Sequence, residues 1–355
     1  MATSGEKVGH LERTAAEPRG QSLHTVTLSK VDQVNDQIRV FRLEVPREGP
    51  VIRFLPGQWL DVFVPGVPKA GGFTITSAPS KARWRKRTPT TTKAGADVGA
   101  AAAGGEGGEE EEPGYLELAV QRSPDNPPAA WLWQGDAPEV AATILGKELR
   151  VRIGGSFVWP PPGINVRSLL RKAVFVAGGV GVNPLVSMLS AIAENPNALA
   201  PSFEVEFLYS VRRPPGSGPT NDYKADQILF LDRIASIFAP NTPAAGARRG
   251  LKGKLRLFLT GGTDEEEENT ISLSGYDDNI EGNSAEMKRG LHFLSRRITV
   301  DDVTDAVGRD PANRRFAVVY ICGVPAMTDE FARELTDPKG PVAMEPHRVL
   351  CEKWW

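Results

Sequence analysis

The chain has 355 residues, 40% of them hydrophobic, enough to bury two ordinary cores and to favour two domains with surface insertions. Lys plus Arg total 42 against 44 Asp plus Glu, and the net charge of -2 excludes a protein that engages a polyanion over its whole surface, leaving small ligands or neutral protein partners and no nucleic acid. Two cysteines, Cys322 and Cys351, and four histidines, His10, His24, His292 and His347, give no zinc-ligand spacing and too few thiolates for a four-cysteine iron-sulfur cluster, and they point to a reducing compartment.

Residues 1–22 lack the apolar core of a secretory signal and carry Glu6, Glu12 and Glu17, which a mitochondrial presequence avoids, so they read as a loose, flexible tail of an intracellular protein. From Leu23 to Gly155 short alternating runs are separated by turn residues, as in an antiparallel sheet. Six strands are predicted, at His24 to Val31, Gln37 to Val45, Trp59 to Val64, Phe73 to Ser77, Tyr115 to Arg122 and Glu148 to Ile153, with a short helix at Pro128 to Gln134. They suit a six-stranded antiparallel Greek-key barrel over residues 23–162, because closure removes exposed strand edges. Residues 81–113 run from basic through Ala/Gly-rich to acidic and cannot bury enough apolar surface to order themselves, so they are predicted to be a disordered insertion. The basic start, Lys81 to Arg87 around Trp84, is a solvated loop rather than a nucleic-acid patch.

Trp159-Pro160-Pro161-Pro162-Gly163 ends the barrel, since neither a helix nor a central strand crosses such a run. Over residues 163–355 strand and helix alternate. Strands are predicted at Ala173 to Ala177, Phe203 to Ser210, Lys254 to Thr260, Phe316 to Cys322 and Arg348 to Lys353. Helices are predicted at Leu185 to Ala193, Ala225 to Phe238, Val300 to Val307 and Ala326 to Leu335. This is the pattern of a Rossmann-like parallel sheet covered on both faces, interrupted by an acidic, disordered insertion at 263–286. No membrane span is expected. The uncharged stretch Ala173 to Ala193 contains three glycines, Asn183, Pro184 and two serines, whose backbone and side-chain groups lipid cannot satisfy.

That stretch reads as strand, glycine turn, helix. A diphosphate can rest on such a turn, because the first NH groups of the helix lack internal partners and its dipole adds about half a positive charge there. An ordinary strand-to-helix turn without a ligand has the same local pattern.

Five segments fall in a specific order: Pro56-Gly57-Gln58-Trp59, Phe73-Thr74-Ile75-Thr76-Ser77, Gly154-Gly155-Ser156-Phe157, Ala177-Gly178-Gly179-Val180-Gly181-Val182-Asn183-Pro184 and Cys322-Gly323-Val324-Pro325-Ala326-Met327. Together they resemble the ferredoxin-NADP reductase-like flavoenzymes, over residues 23–355 apart from the two insertions. The resemblance implies FAD on the barrel, NAD(P)H on the parallel domain, and hydride transfer to a flavin held at their interface. Electrons would pass on to an unidentified acceptor, a small molecule or a redox protein. It further implies that Phe73, Thr74, Ile75, Thr76 and Ser77 face the flavin, that Gly154, Gly155 and Ser156 approach the FAD diphosphate, and that Gly178, Gly179, Val180, Gly181, Val182, Asn183 and Pro184 take the NAD(P) diphosphate. Gly323 and Met327 join that nucleotide site. Cys322 would lie beside the nicotinamide, or be a small buried residue at a strand end. Arg212 and Arg213 would meet a 2′-phosphate or simply be surface arginines, so NADH and NADPH both stay open. Trp355 would cover the flavin, or plug the sheet edge. The ending Cys351-Glu352-Lys353-Trp354-Trp355 resembles mitochondrial members, with the cytoplasm as the alternative.

Two positions depart from the family pattern. Gly71 stands where an arginine holds the FAD phosphates, and Pro127-Pro128-Ala129-Ala130 lacks the serine expected at the barrel helix. Losing a charge-assisted phosphate contact costs about 2 to 3 kcal/mol, on the order of a hundredfold in affinity. The alternative function is therefore a degenerate reductase fold that keeps nucleotide binding and serves as a binding or assembly protein.

Overall fold

Side-chain alternation decides the first half of the molecule. In β1 (His24–Asn35), β2 (Ile38–Glu44), β3 (Trp59–Phe63) and β4 (Gly71–Thr74), every second residue turns inward. Val26 and Leu28, Phe41 and Leu43, Leu60 and Val62, and Phe73 enter one apolar core. The structure is a computed structural model that describes residues 9–86, 111–134, 143–214, 225–239, 251–261, 269–273 and 290–353.

Arg85–Lys86 (β5) pairs antiparallel with Glu111–Glu112 (β6), so the basic and acidic ends of the first insertion meet strand to strand. Residues 81–86 and 111–113 are thus ordered, contrary to the sequence expectation. The Trp84 indole donates to the Val45 carbonyl at 3.0 Å, and Arg47 pairs with Glu111 at 2.8 Å. The rest of that insertion, residues 87–110, lies outside the described residues. With Tyr115–Gln121 (β7) and Glu148–Gly154 (β8) the antiparallel sheet runs β4-β3-β8-β1-β2-β7. An antiparallel bridge between Ile75 and Leu118 closes it into a six-stranded barrel.

One-turn helices α1 (His10–Arg13) and α2 (Pro127–Leu132) pack on the barrel, and α3 (Val166–Leu169) leads out of it. The second half follows as β9 (Lys172–Gly178), α4 (Val182–Glu194), β10 (Glu204–Arg212), α5 (Leu231–Phe238), β11 (Gly253–Thr260), β12 (Asn269–Ser272), β13 (Gly290–Leu294), α6 (Val300–Val307), α7 (Pro311–Arg314), β14 (Ala317–Cys322), α8 (Pro325–Thr336) and β15 (Val349–Glu352). Their order in the sheet is β12-β13-β11-β10-β9-β14-β15, parallel throughout except where β12 meets β13. Both faces of β9 are buried: Ala173, Phe175 and Ala177 under α4 and α5, Val174 and Val176 with α6 and α8. Strands β12 and β13 were not expected. β12 lies inside the stretch 263–286 that was expected to be disordered, where the short run Thr270–Ile271 is hidden in acidic and Asn/Ser/Gly-rich sequence, and β13 follows that stretch; residues 263–268 and 274–286 lie outside the described residues.

The two halves share one core. Val40, Ala119, Phe157 and Trp159 from the barrel belong to the same buried cluster as Phe175, Leu185, Met188 and Tyr320 of the parallel half. Several polar contacts register them, among them Asn35 Nδ2 donating to the Gln227 carbonyl (3.0 Å). Asn183 Nδ2 donates to the Ala119 carbonyl (3.0 Å), Ser187 Oγ to the Ser77 carbonyl (2.8 Å) and the Tyr320 hydroxyl to the Val158 carbonyl (2.8 Å), and Arg233 holds the buried Glu117 carboxylate at 2.8 Å.

Arg233→Ala would leave Glu117 sealed in the interface with Arg42 only at 3.9 Å. The expected loss is about 2 to 3 kcal/mol, read as a lower midpoint in chemical denaturation, and Arg233→Lys should recover part of it.

Candidate functional site

Strand β9 is followed by β10 on one side of the sheet, while β14 arrives on the other, so the carboxyl ends of β9 and β14 form a switch point, where open α/β sheets leave a crevice. The residues there are the glycine turn and the Cys322-Gly323 corner. A Cβ at Gly181 would lie 2.2 Å from the Cys322 carbonyl oxygen, so only glycine lets the start of α4 come this close to β14. Gly178 and Gly323 face each other, with the Met327 methyl across both: a Cβ would stand 3.0 Å from it at Gly178 and 2.4 Å at Gly323. Gly179 has φ +55 and nothing within 4 Å of where its Cβ would be, so the turn is open there. The N-termini of α4 and α8 both start at this crevice.

The structure divides the residues expected to take the nucleotide. Gly178, Gly179 and Val180 are partly exposed in the crevice, with Met327 beside them, whereas Gly181, Val182, Asn183 and Pro184 are buried. Asn183 uses its amide on the barrel, as described. Arg212 is exposed at the end of β10, and Arg213 donates to Ser295 Oγ at 2.7 Å. Cys322 is 1% exposed and belongs to the shared core, the structural alternative of the two that its sequence allowed. Trp355 lies outside the described residues.

The second candidate region is the outer face of β3, β4 and β8. Register places Asp61 between Gly72 and Arg152, and Trp59 between Thr74 and Gly154, in two adjacent cross-strand rows. Residues 9–22, expected to be a loose tail, lie over these rows and are ordered by them. His10 Nε2 meets Asp61 Oδ1 at 3.0 Å, Arg19 Nε donates to Asp61 Oδ2 at 3.1 Å, and Arg152 donates to the same oxygen at 2.8 and 2.7 Å. The Arg19 guanidinium lies 5.0 Å over the Trp59 ring, and the His10 ring stands edge-on to it at 4.8 Å. Gly155 NH donates to the Pro18 carbonyl (3.0 Å) and Gly20 NH to the Ile153 carbonyl (2.9 Å), while the Glu17 carboxylate accepts from both the NH (3.1 Å) and the Oγ (2.7 Å) of Ser156. A Cβ at Gly72 would sit 2.1 Å from the His10 ring, so the glycine is what seats this segment.

Electrostatics follow the burial. Burial alone would raise the Asp61 carboxyl, but hydrogen bonds from His10, Arg152 and Arg19 outweigh it and hold the group below the usual carboxylate range. Glu352, at the end of β15, is the opposite case. Its burial, with the nearby charge of Glu17 added, pushes it well above that range, and its Oε2 has no hydrogen-bond partner among the described residues.

The strand expected to face a flavin is closed. Phe73 and Ile75 point into the barrel core, because β4 pairs with β3 in a register that puts them inside. The Phe73 ring folds back over Gly71 beside Pro128; a Cβ at Gly71 would be 2.5 Å from the ring and 2.7 Å from Pro128 Cβ. Thr74 is buried on the covered face. Thr76 Oγ1 donates to Glu117 at 2.8 Å, and Ser77 Oγ accepts from the Glu117 NH at 3.2 Å. Gly154 and Gly155, expected to approach a diphosphate, instead give room to the Trp59 indole, 2.4 and 2.6 Å from their Cβ positions. At α2, Asn126 caps Ala129 while Pro127 and Pro128 offer no NH. In this conformation the barrel residues leave no open cradle for the diphosphate of a flavin dinucleotide, whereas the glycine turn at the ends of β9 and β14 is open at Gly179.

No protein-family model matches the chain. Its architecture is nonetheless the two-part fold of ferredoxin-NADP reductase-like flavoenzymes. It superposes on a ferredoxin NADP+ reductase from Neisseria gonorrhoeae with bound FAD and NADP (TM-score 0.53, 15% identity, 95% of this chain and 100% of that one). It superposes equally on the cytochrome b5 reductase domain of Ulva prolifera nitrate reductase (TM-score 0.52, 14% identity, 94% and 98%). In sequence it is similar to the oxidoreductase NAD-binding domain-containing protein 1 of Xenopus laevis, 27% identical over 356 aligned residues, covering 99% of this chain and 86% of that protein.

His10, Glu17, Arg19, Asp61, Arg152 and Glu352 escaped the sequence reading. One signal was present: Asp61 interrupts the apolar run Trp59-Leu60-Asp61-Val62-Phe63, and a carboxylate there demands partners. Because the Asp61 value is depressed, its contribution to stability is present above the unfolded carboxylate value and is lost as pH falls through the native one. For Glu352, raised, the contribution is present at low pH and lost as pH rises through its native value. Asp61→Asn should therefore flatten the acid limb of a stability-against-pH curve. Glu352→Gln should make the protein more stable than the parent at pH 7 and nearly equal to it at pH 4, both read from thermal midpoints.

Proposed function

We propose that this chain is an NAD(P)H-dependent oxidoreductase whose nicotinamide dinucleotide binds at the crevice between the ends of β9 and β14. The observation that carries the reading is the open glycine turn there, between two helix N-termini, with nothing within 4 Å of a Cβ position at Gly179. Backbone NH groups of Gly179 and Val180 hold the diphosphate, and Gly178 and Gly323 keep the floor flat enough for the nucleotide to lie on. Arg212 is placed to meet the adenosine ribose or a 2′-phosphate. The surrounding apolar core excludes water from the inner end of the crevice, which favours hydride transfer over loss of the hydride to solvent.

The resemblance supplies FAD as the hydride acceptor, a ring that takes two electrons and releases them singly or in pairs to an acceptor, whether small molecule or redox protein. The barrel holds it only after residues 9–22 and the Phe73 ring have moved. That filled cradle is the specific observation behind a second reading, in which the chain binds a nicotinamide nucleotide and serves as a binding or assembly protein without turnover. On either reading the parallel half is the nucleotide domain and the barrel the acceptor domain, dividing near residue 162.

Gly179→Asp tests the crevice, since Asp tolerates the left-handed conformation and sets a carboxylate against the diphosphate. Calorimetry should give at least about tenfold weaker binding of NADH or NADPH than the parent, with the melting temperature changed by only a few degrees. Equal affinity in parent and variant would remove the crevice from the mechanism. Turnover separates the two readings: flavin-reconstituted protein that never bleaches under anaerobic NADH or NADPH is a binding protein.

A further inference from the structure

The two glycines at 71–72 look like a loss when set against a phosphate-binding arginine, yet Gly72 has a positive use: nothing larger lets the His10 ring lie on the sheet. Ser156 likewise is not idle. Its NH and Oγ already hold an anion, the carboxylate of Glu17. We propose that residues 9–20 are a removable cover over the acceptor side of the barrel, in which Glu17 stands in for a phosphate at Ser156, and that a phosphorylated ligand of this face, a flavin nucleotide above all, binds by displacing them.

The contacts suit a cover that lifts. Asp61 has three side-chain partners, but only His10 and Arg19 belong to the segment. Arg152, on the neighbouring strand, stays at 2.7 and 2.8 Å, so the carboxylate is not left bare when the segment leaves. The backbone of residues 18–20 makes just two hydrogen bonds to the β8 edge, and α1 is a single turn. What remains uncovered is a face with an indole, Arg152 and the Ser156 donors: a flat apolar surface beside anion-binding groups, the chemistry of an aromatic ring that carries phosphate.

The inference rests on the flavin reading for its ligand but not for its geometry, and the test separates the two. The full chain is compared with the triple variant His10→Ala, Glu17→Ala, Arg19→Ala, and with Gly72→Ala, which pushes His10 away from the barrel side. Hydrogen exchange at the NH groups of Gly20 and Gly155 reports the cover, and FAD, FMN and inorganic pyrophosphate are the probes. Both variants should exchange these amides faster and bind at least one flavin about tenfold more tightly than the parent, and saturating flavin should speed the same amides in the parent. If pyrophosphate binds the opened variants and not the parent while no flavin binds either, the cover stands and the flavin reading falls. If a flavin binds the parent as tightly as the variants with Gly20 and Gly155 still protected, or if neither variant gains any of the three probes, the cover is wrong.

Discussion

A carboxylate with no exposure to water organises the surface of this barrel. Asp61 sits in the middle of a strand whose neighbours are tryptophan, leucine, valine and phenylalanine, and it is stable there only because arginine and histidine side chains converge on it. One of them, Arg152, is placed by strand register. The others require the chain before β1 to double back, and that requirement orders residues 9–22, removes the side chain at position 72 and seats the Arg19 guanidinium on Trp59. The carboxylate of Glu17 at Ser156 comes with the same segment.

Most of the framework was legible because it rests on local periodicity. Alternation in β1 to β4, β7 and β8 and unbroken apolar runs in β9, β10 and β14 located the barrel and the parallel sheet with ends within a few residues, and the change of texture after the proline run at 160–162 separated them. What could not be seen was set by long-range partners. β12 pairs with β13 and β13 with β11, although β12 lies in an insertion whose composition argued for disorder. Thr76, Ser77 and Asn183 carry side chains well suited to a cofactor, yet they are turned to the contact between the two halves. The polar residues 9–22 had no periodicity from which to infer a docking face 40 residues away. Their anchor was visible only as an anomaly, an aspartate inside an apolar strand.

The candidate site divides in the same way. The glycine turn at 178–181 was readable because a strand–turn–helix corner is a local property of the backbone, and the structure has that corner at the carboxyl end of β9, open at Gly179. The flavin positions came from resemblance alone, and there this chain departs from the pattern by more than the missing arginine. Two consecutive prolines remove NH donors from the short helix, and a phenylalanine ring fills the space that the arginine would have left. Each change is compatible with the fold, and together they alter what the fold can hold at rest.

The shared core has a mechanical meaning. Reductases built from two lobes can shut around a nucleotide by rotating one lobe on a hinge, but here Trp159 and Phe157 interlock with Phe175 and Tyr320, and the Arg233–Glu117 pair pins the far side. Rotation would have to unpack those rings and leave Glu117 without its counter-ion. The shared core therefore resists such a rotation, while Met327 and the exposed Val324 stand beside the glycine turn on the crevice side.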